Sequence, residues 1–224
     1  MRGIITGASR GLGLALTRAL SERDWRLAVD ARGAARLENA VAGLAGVVAV
    51  AGDVADPDHR HRLVDAAGEP IDLLVNNASV LGPSPLPPLA GYSVGTLRSV
   101  YEANVFAPLA LVQLTLPRLA PQARIVNLVS DAAFEAYERW GGYGSSKAAL
   151  AQITAVLGTE HPRLRVYAAD PGDMRTQMQQ EAFPGEDISD RPPPEDRIPG
   201  LLALIEGDLP SGLYRLNDLV AAAA

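Results

Sequence analysis

Short apolar runs recur along the chain at 3–6, 27–31, 47–51, 73–76, 124–129 and 165–169, separated by longer stretches whose apolar residues fall at helical spacing. This alternation constrains the fold more than any other feature. Strands buried on both faces read as near-continuous apolar runs, and parallel strands need crossover helices between them. The pattern predicts an α/β fold: a doubly wound, mostly parallel sheet flanked by helices in three αβα layers. Helices are expected over 12–22, 60–67, 96–119 and 143–159, with Pro108 and Pro117 kinking or ending the third because proline removes a backbone donor. At 224 residues and 48% hydrophobic content, one domain spanning 1–224 is expected.

Two stretches resist regular structure. Residues 79–95 carry Gly82, Pro83, Pro85, Pro87 and Pro88; residues 170–200 carry a Pro192–Pro194 run and the acids Glu181, Glu186, Asp187 and Asp190. Both follow predicted strands, so they are expected at the carboxyl edge of the sheet as substrate loops. The terminal alanines 221–224 read as a frayed end or a helix end.

Composition removes several classes. A net charge of −6 without a basic block argues against nucleic-acid binding. The absence of Cys excludes disulfides, thiolate metal sites and a thiol nucleophile, and agrees with a reducing compartment. No apolar run is long enough to span a bilayer, and MRGIITGAS does not read as a signal peptide, so a cytoplasmic protein is expected.

TGASRGLG lies between the first predicted strand and helix. Its Gly7, Gly11 and Gly13 suit a tight turn that brings backbone close to a pyrophosphate, whose charge is met at the helix amino end. A plain strand-to-helix turn is the alternative. The second motif is YGSSK, with Tyr143 and Lys147 at i and i+4, on one face of a helix. Lys147 is the only Lys beside 19 Arg. A free phenol titrates near pH 10, and an adjacent ammonium lowering it by roughly three units corresponds to about 4 kcal/mol.

Together these motifs resemble the short-chain dehydrogenase/reductase family. TGASRGLG is similar to its TGxxxGxG loop, GDVAD to its adenine-contacting segment, NNAS to its NNAG segment, YGSSK to its YxxxK pair and DPGDMRT to its PGxxxT segment, in the family's order from Ile4 to about Thr176. The resemblance implies a Rossmann-type fold and an enzyme transferring hydride between a nicotinamide and a carbonyl or secondary alcohol. By the same resemblance Tyr143 is the acid/base, and Lys147 lowers its pKa and holds the nicotinamide ribose. Ser130, thirteen residues before Tyr143, bonds the substrate oxygen, and Asn104 bends its helix and supports a proton path. Cofactor contacts are implied for Gly7, Ser9, Arg10, Gly11, Leu12, Gly13, Asp53, Val54, Asn77 and Ala78, and at the nicotinamide end for Pro171, Gly172, Met174 and Thr176. Ser79 stands where the family has Gly, a change expected to tighten or re-aim the loop. Asp173 and Arg175 read as a solvated pair. A homodimer or homotetramer through helices 96–119 and 143–159 is implied as well.

An acid about twenty residues after a glycine loop ordinarily binds the ribose 2′-hydroxyl of NAD, and Asp30 sits at that distance. Aligned with the family, Ala31 takes the discriminating position, so strand alternation turns Asp30 away from the adenosine. Arg32 and Arg10 then favour a 2′-phosphate, making NADP(H) the expected cofactor and NAD(H) the alternative. Four of eleven aromatics, Phe134, Tyr137, Trp140 and Tyr143, cluster within ten residues. The first three either wall a ring-binding pocket beside Ser130 or pack on a loop or a second subunit. His59, His61 and His161 read as exposed, and no metal site is expected. A non-catalytic dinucleotide sensor and a nucleotide-free lyase on the same fold are the competing classes; the complete set of Asn104, Ser130, Tyr143 and Lys147 argues against the first, the intact glycine loop against the second. Lys147→Arg is expected to fold normally and lose most activity.

Overall fold

The computed structural model describes residues 1–221; residues 222–224, most of the terminal alanine run, lie outside it. Seven strands pair in parallel: β1 (Arg2–Ile5), β2 (Arg26–Ala31), β3 (Val47–Ala51), β4 (Ile71–Asn76), β5 (Leu119–Leu128), β6 (Arg165–Asp170) and β7 (Gly212–Arg215). Their order across the sheet is β3-β2-β1-β4-β5-β6-β7. The helices are α1 (Gly11–Ser21), α2 (Ala34–Val41), α3 (Pro57–Ala67), α4 (Val94–Tyr101), α5 (Ala107–Thr115), α6 (Gly141–Glu160), α7 (Gln177–Ala182), α8 (Ile198–Glu206) and α9 (Leu216–Ala221).

Successive strand residues point to opposite faces, and this sorts the core into two layers. Ile4, Ala28, Leu74 and Ile125 pack with Leu63 and Val64 of α3, Leu111 and Val112 of α5 and Leu157 of α6. Their neighbours Ile5, Val29, Val75 and Val126 pack on the other face with Leu16 and Leu20 of α1, Leu37 of α2 and Leu201 and Leu204 of α8. Each such buried side chain contributes roughly 1.5–3 kcal/mol. That burial is what secures α3, whose PDHRHRLVDAA sequence is otherwise polar. Pro57 in its first turn and the Asp56 carboxylate, accepting from Asp58 N–H at 3.0 Å, set its start.

The strand order reverses between β1 and β4, so the loops leaving their carboxyl ends diverge around a crevice. The Thr6 hydroxyl closes its floor by accepting from the N–H groups of Asn77 at 3.0 Å and Ala78 at 2.9 Å. Asn77 Nδ2 returns a bond to the Thr6 carbonyl at 2.7 Å.

Several elements differ from expectation. The helix expected over 96–119 is α4, a π-helical turn over Glu102–Phe106, α5 and a short 3-10 turn over Leu116–Arg118. The α-helical ladder is therefore interrupted at the π turn holding Asn104, just before Pro108, which cannot donate to the ladder. Strand β5 begins at Leu119 and bulges before Arg124, with Gln122 at φ 65°, so only its regular half matched an apolar run. Helices α2, α7 and α8 were not anticipated as elements; α7 and the start of α8 fall within the expected 170–200 loop. His59 is fully buried rather than exposed, whereas His61 is exposed and His161 is half-buried. Among the described residues no helix is long and apolar enough to cross a membrane, and no group of His and acidic residues is arranged to hold a metal.

Candidate active site

The glycine loop turns on Gly7 and Gly11, both at positive φ (72° and 57°). A Cβ at Gly13 would lie 2.5 Å from the Gly7 carbonyl oxygen, so glycine there lets α1 seat directly on the loop. A Cβ at Gly11 would meet only Thr176, at 3.7 Å, leaving room over the helix end. Arg10 at the N-cap makes no side-chain cap and the first turn holds no acid. The first N–H groups of α1 therefore face the crevice uncapped, which fits the pyrophosphate of a dinucleotide. Ser9 is half-buried beside them and Leu12 is buried beneath.

Asp30 holds this loop from behind. Its Oδ1 accepts from Gly7 N–H at 2.8 Å, its Oδ2 lies 2.9 Å from His59 Nε2, and its carbonyl accepts from Ala8 N–H at 2.8 Å. The carboxylate thus faces inward, as strand alternation required, and burial pushes its pKa up. Arg32, past the end of β2, is exposed. Arg10 is exposed too, but its guanidinium donates to Gln177 Oε1 on α7, tying the glycine loop to the covering segment. The Asp53 carboxylate accepts from Ala55 N–H at 2.9 Å, and Val54 is buried beside it.

The catalytic candidates converge from three elements. Ser130 follows β5, Tyr143 and Lys147 rise from the first turns of α6, and Asn104 comes from the π turn. A Cβ at Gly144 would meet the Ala132 carbonyl at 2.6 Å, so glycine there allows the Ser130 turn to close on the start of α6. Asn104 is fully buried and fully bonded: Oδ1 accepts from Val80 N–H at 2.8 Å and Ser79 Oγ at 3.1 Å, while Nδ2 donates to the Val80 carbonyl at 2.9 Å and Ser146 Oγ at 3.0 Å. Ser146 in turn donates to the Tyr143 carbonyl at 2.6 Å. Ser130 Oγ donates to Asp131 Oδ1 at 2.8 Å.

Lys147 Nζ donates to the Leu128 carbonyl at 2.7 Å and lies 5.5 Å from the Tyr143 ring centre. Burial lowers its pKa to about 7. Burial also pushes the Tyr143 phenol up, opposed by a hydrogen bond from Ser79 and reinforced by the charges of Asp170 and Asp131. Among the protein groups alone, burial is the largest influence on both side chains, raising the phenol and lowering the amine.

Ser130, Tyr143, Pro171, Gly172, Met174 and Thr176 line one cavity of about 370 Å³. Tyr137 and Trp140 line it as well, whereas Phe134 is 53% exposed and lies outside the wall. Trp140 meets the Tyr143 ring edge-on at 5.8 Å and Phe183 at 5.8 Å. Phe183, Met178, Leu81, Asp131 and Asp170 were missed from the sequence. The signal available for Phe183 and Met178 was a short apolar pattern inside a proline-rich, acidic stretch. Asp173 and Arg175 do not pair with each other: Asp173 accepts from Gln179 Nε2 at 2.9 Å and meets Arg191 at 3.8 Å.

A crevice at the strand-order reversal, an uncapped glycine turn and a buried Tyr–Lys pair beside a serine define a nicotinamide-dependent oxidoreductase. The family model described as short chain dehydrogenase matches residues 3–187, and the chain belongs to that family. It is 31% identical to the L-xylulose reductase of Bos taurus, over 97% of this chain and 89% of that one. It is 32% identical to the benzil reductase ((S)-benzoin forming) of Saccharomyces cerevisiae, over 80% of this chain and 73% of the relative. Among solved structures, a short chain dehydrogenase from Escherichia coli CFT073 in complex with NADPH superposes with a TM-score of 0.87 at 26% identity, covering 96% and 95% of the two chains. The chain is an NAD(P)-dependent oxidoreductase of the short-chain dehydrogenase/reductase type.

Proposed function

We propose that this chain is an NADPH-dependent carbonyl reductase acting on ketones that carry an aryl or similarly bulky apolar group. The observation that carries the substrate class is the cavity wall: Trp140 stands edge-on to the Tyr143 ring and meets Phe183, and Met174 and Met178 line the same cavity. Flat rings suit such a wall, and thioethers adapt to their edges. The benzil reductase relative, named for an aryl diketone, points the same way.

The nicotinamide supplies the hydride when bound. The uncapped end of α1 with Gly7, Ser9, Gly11 and Gly13 would take its diphosphate, Arg32 and Arg10 a 2′-phosphate, Asp53 and Val54 the adenine end, and Asn77, Ala78, Pro171, Gly172, Met174 and Thr176 the nicotinamide end. Support for NADPH over NADH comes from the exposed Arg32, from Asp30 being engaged inward, and from the NADPH-bound relative. Ser130 Oγ turns from Asp131 to donate to the carbonyl oxygen, fixing it beside Tyr143. Tyr143 gives that oxygen its phenol proton; the O–H electron pair remains on the phenolate. Lys147, with a pKa near 7, is poised to deliver a replacement proton at neutral pH.

The deciding experiment is NADPH oxidation with benzil, acetophenone-type ketones and L-xylulose as competing substrates. We expect kcat/KM for the aryl ketones to exceed that for the sugar by at least about tenfold. Tyr143→Phe should bind NADPH normally and lose about a thousandfold in kcat; full activity in that variant would exclude the reductase mechanism. A polyhydroxylated ketone is the second reading, favoured by Asp131 and Asp170 at the cavity wall as hydroxyl acceptors and by the L-xylulose reductase relative. A homodimer or homotetramer belongs to the proposal as well, with Phe106 and Val156 exposed on the expected contact helices, and sedimentation tests it.

A further inference from the structure

The cavity beside Tyr143 carries three carboxylates, Asp131, Asp170 and Asp173, and among the described residues no Lys, Arg or His lines it. Two of the three are already answered. Asp131 Oδ1 accepts from Ser130 Oγ and Ala132 N–H, both at 2.8 Å, and its Oδ2 accepts from the Tyr137 hydroxyl at 3.0 Å. Asp173 accepts from Gln179 Nε2 at 2.9 Å and meets Arg191 at 3.8 Å. Asp170 differs from both. It ends β6 and is only 5% exposed, yet among the described residues its carboxylate takes a single hydrogen bond, from Gly172 N–H to Oδ1 at 2.9 Å. Arg215, its register partner on β7, pairs with Glu135 at 3.6 Å instead. A buried carboxylate is ordinarily paired, because an unanswered charge away from water is costly. Asp170 belongs to the cavity wall, so the group that answers Oδ2 comes from the cavity.

We propose that Asp170 is the specificity-determining residue for a ketone that carries a protonated amine as well as its aryl or similarly bulky group, with Oδ2 accepting from the ammonium. The proposal rests on the reductase reading and adds the charge of the substrate to it. Three features of the wall favour a cation over a neutral hydroxyl. No cationic side chain among the described lining residues competes for the carboxylate. Burial, and then the charges of Asp131 and Asp173, push the Asp170 pKa up against the Gly172 N–H and Arg215, a penalty on the charged form that an ammonium relieves and a hydroxyl does not. Trp140, Tyr137 and Phe183 line the same cavity, and aromatic faces attract a cation. The same carboxylates repel an anion, so keto acids are disfavoured. The amine keeps its proton throughout, and no bond to it forms or breaks while the carbonyl is reduced.

The test titrates the full chain, saturated with NADPH at neutral pH, with three unreactive ligands of one shape: 4-ethylbenzylamine, 4-ethylbenzyl alcohol and 4-ethylbenzoate. Calorimetry should show the amine binding at least about tenfold more tightly than the alcohol, and the benzoate at least about tenfold more weakly, as expected of a hydrogen bond to a charged group. Asp170→Asn keeps an acceptor for Gly172 N–H and should bring amine and alcohol to within about twofold of each other, whereas Asp173→Asn, whose carboxylate already meets Arg191, should keep the preference. Equal Kd values for amine and alcohol in the parent overturn the proposal whether or not the variants fold. So does a preference that survives in Asp170→Asn, or one that Asp173→Asn removes as completely. In turnover, kcat/KM for 4-(aminomethyl)acetophenone should exceed that for 4-(hydroxymethyl)acetophenone in the parent and not in Asp170→Asn. If both ketones are reduced without preference, only this proposal falls. If the amine binds through Asp170 and neither ketone is reduced, the reductase reading falls instead.

Discussion

Asp30 and His59 form a fully buried pair, with His59 Nε2 at 2.9 Å from Asp30 Oδ2, directly behind the glycine loop. The other carboxylate oxygen takes the Gly7 N–H, so one side chain links β2, the glycine loop and α3. A Cβ at Gly52 would lie 2.1 Å from His59 Nδ1, which shows how tightly the imidazole is seated. Asp30 is thereby a support of the loop, with both carboxylate oxygens engaged.

Asp30→Ala strips the acceptor from Gly7 N–H and the partner from His59. A loss of roughly 3 kcal/mol is expected, lowering Tm by about 5–10 °C, with NADPH and NADH affinities falling together. Thermal melts and kcat/KM for both cofactors check it. A selective loss of NADH activity would mean that the carboxylate reaches the ribose after all.

Under the proposed reading, Arg32 is the side chain that would carry the cofactor preference. Arg32→Ala should weaken NADPH binding by about tenfold or more and leave NADH nearly unchanged, because a guanidinium–phosphate contact is lost without any packing change. Arg10→Ala should do less, since that guanidinium is shared with Gln177. Isothermal titration with both dinucleotides separates the two arginines. Equal losses for NADPH and NADH in Arg32→Ala would remove it from the 2′-phosphate.

What was legible in the sequence is what local pattern determines. Strand alternation fixed the two-faced sheet and correctly turned Asp30 inward; the i and i+4 spacing put Tyr143 and Lys147 on one helix face. Elements that depend on distant packing were not legible. Helix α7 has no buried residues by which its own pattern would mark it, and is set by its Thr176 cap, whose Oγ1 accepts from Gln179 N–H at 3.3 Å. His59 reads as surface in HRHR until a carboxylate 29 residues earlier points at it. The same limit applies to the Lys147–Tyr143 interaction, since sequence gives proximity but not the desolvation that governs both groups.

Trp140 touches both Tyr143 and Phe183 of the covering segment, and under the proposed mechanism it would couple substrate fit to catalysis. Trp140→Ala should raise KM for aryl ketones by about tenfold through lost stacking area and lower kcat as the Tyr143 ring loses its edge contact. Phe183→Ala, which removes a ring that meets Trp140 and not Tyr143, should change mainly KM. Steady-state kinetics on an aryl and an aliphatic ketone distinguish them, and equal effects on both substrates would argue against a ring-binding wall.

The burial of Lys147 makes stability depend on pH. Its folded pKa of about 7 lies below the unfolded value of about 10.4. Between those values the unfolded chain carries a proton that the folded chain lacks, so the Lys147 contribution to stability rises with pH through this window and is lost as pH falls toward 7. Lys147→Met has no such titration. The parent should therefore gain stability relative to Lys147→Met from about pH 7 to about pH 10, while the variant is inactive throughout. Lys147→Arg, expected from sequence to fold normally, should instead be destabilised across the whole range, because a guanidinium cannot shed its proton in a site that is 2% exposed. Parallel stability curves for the parent and Lys147→Met would show that the amine keeps its charge in the fold.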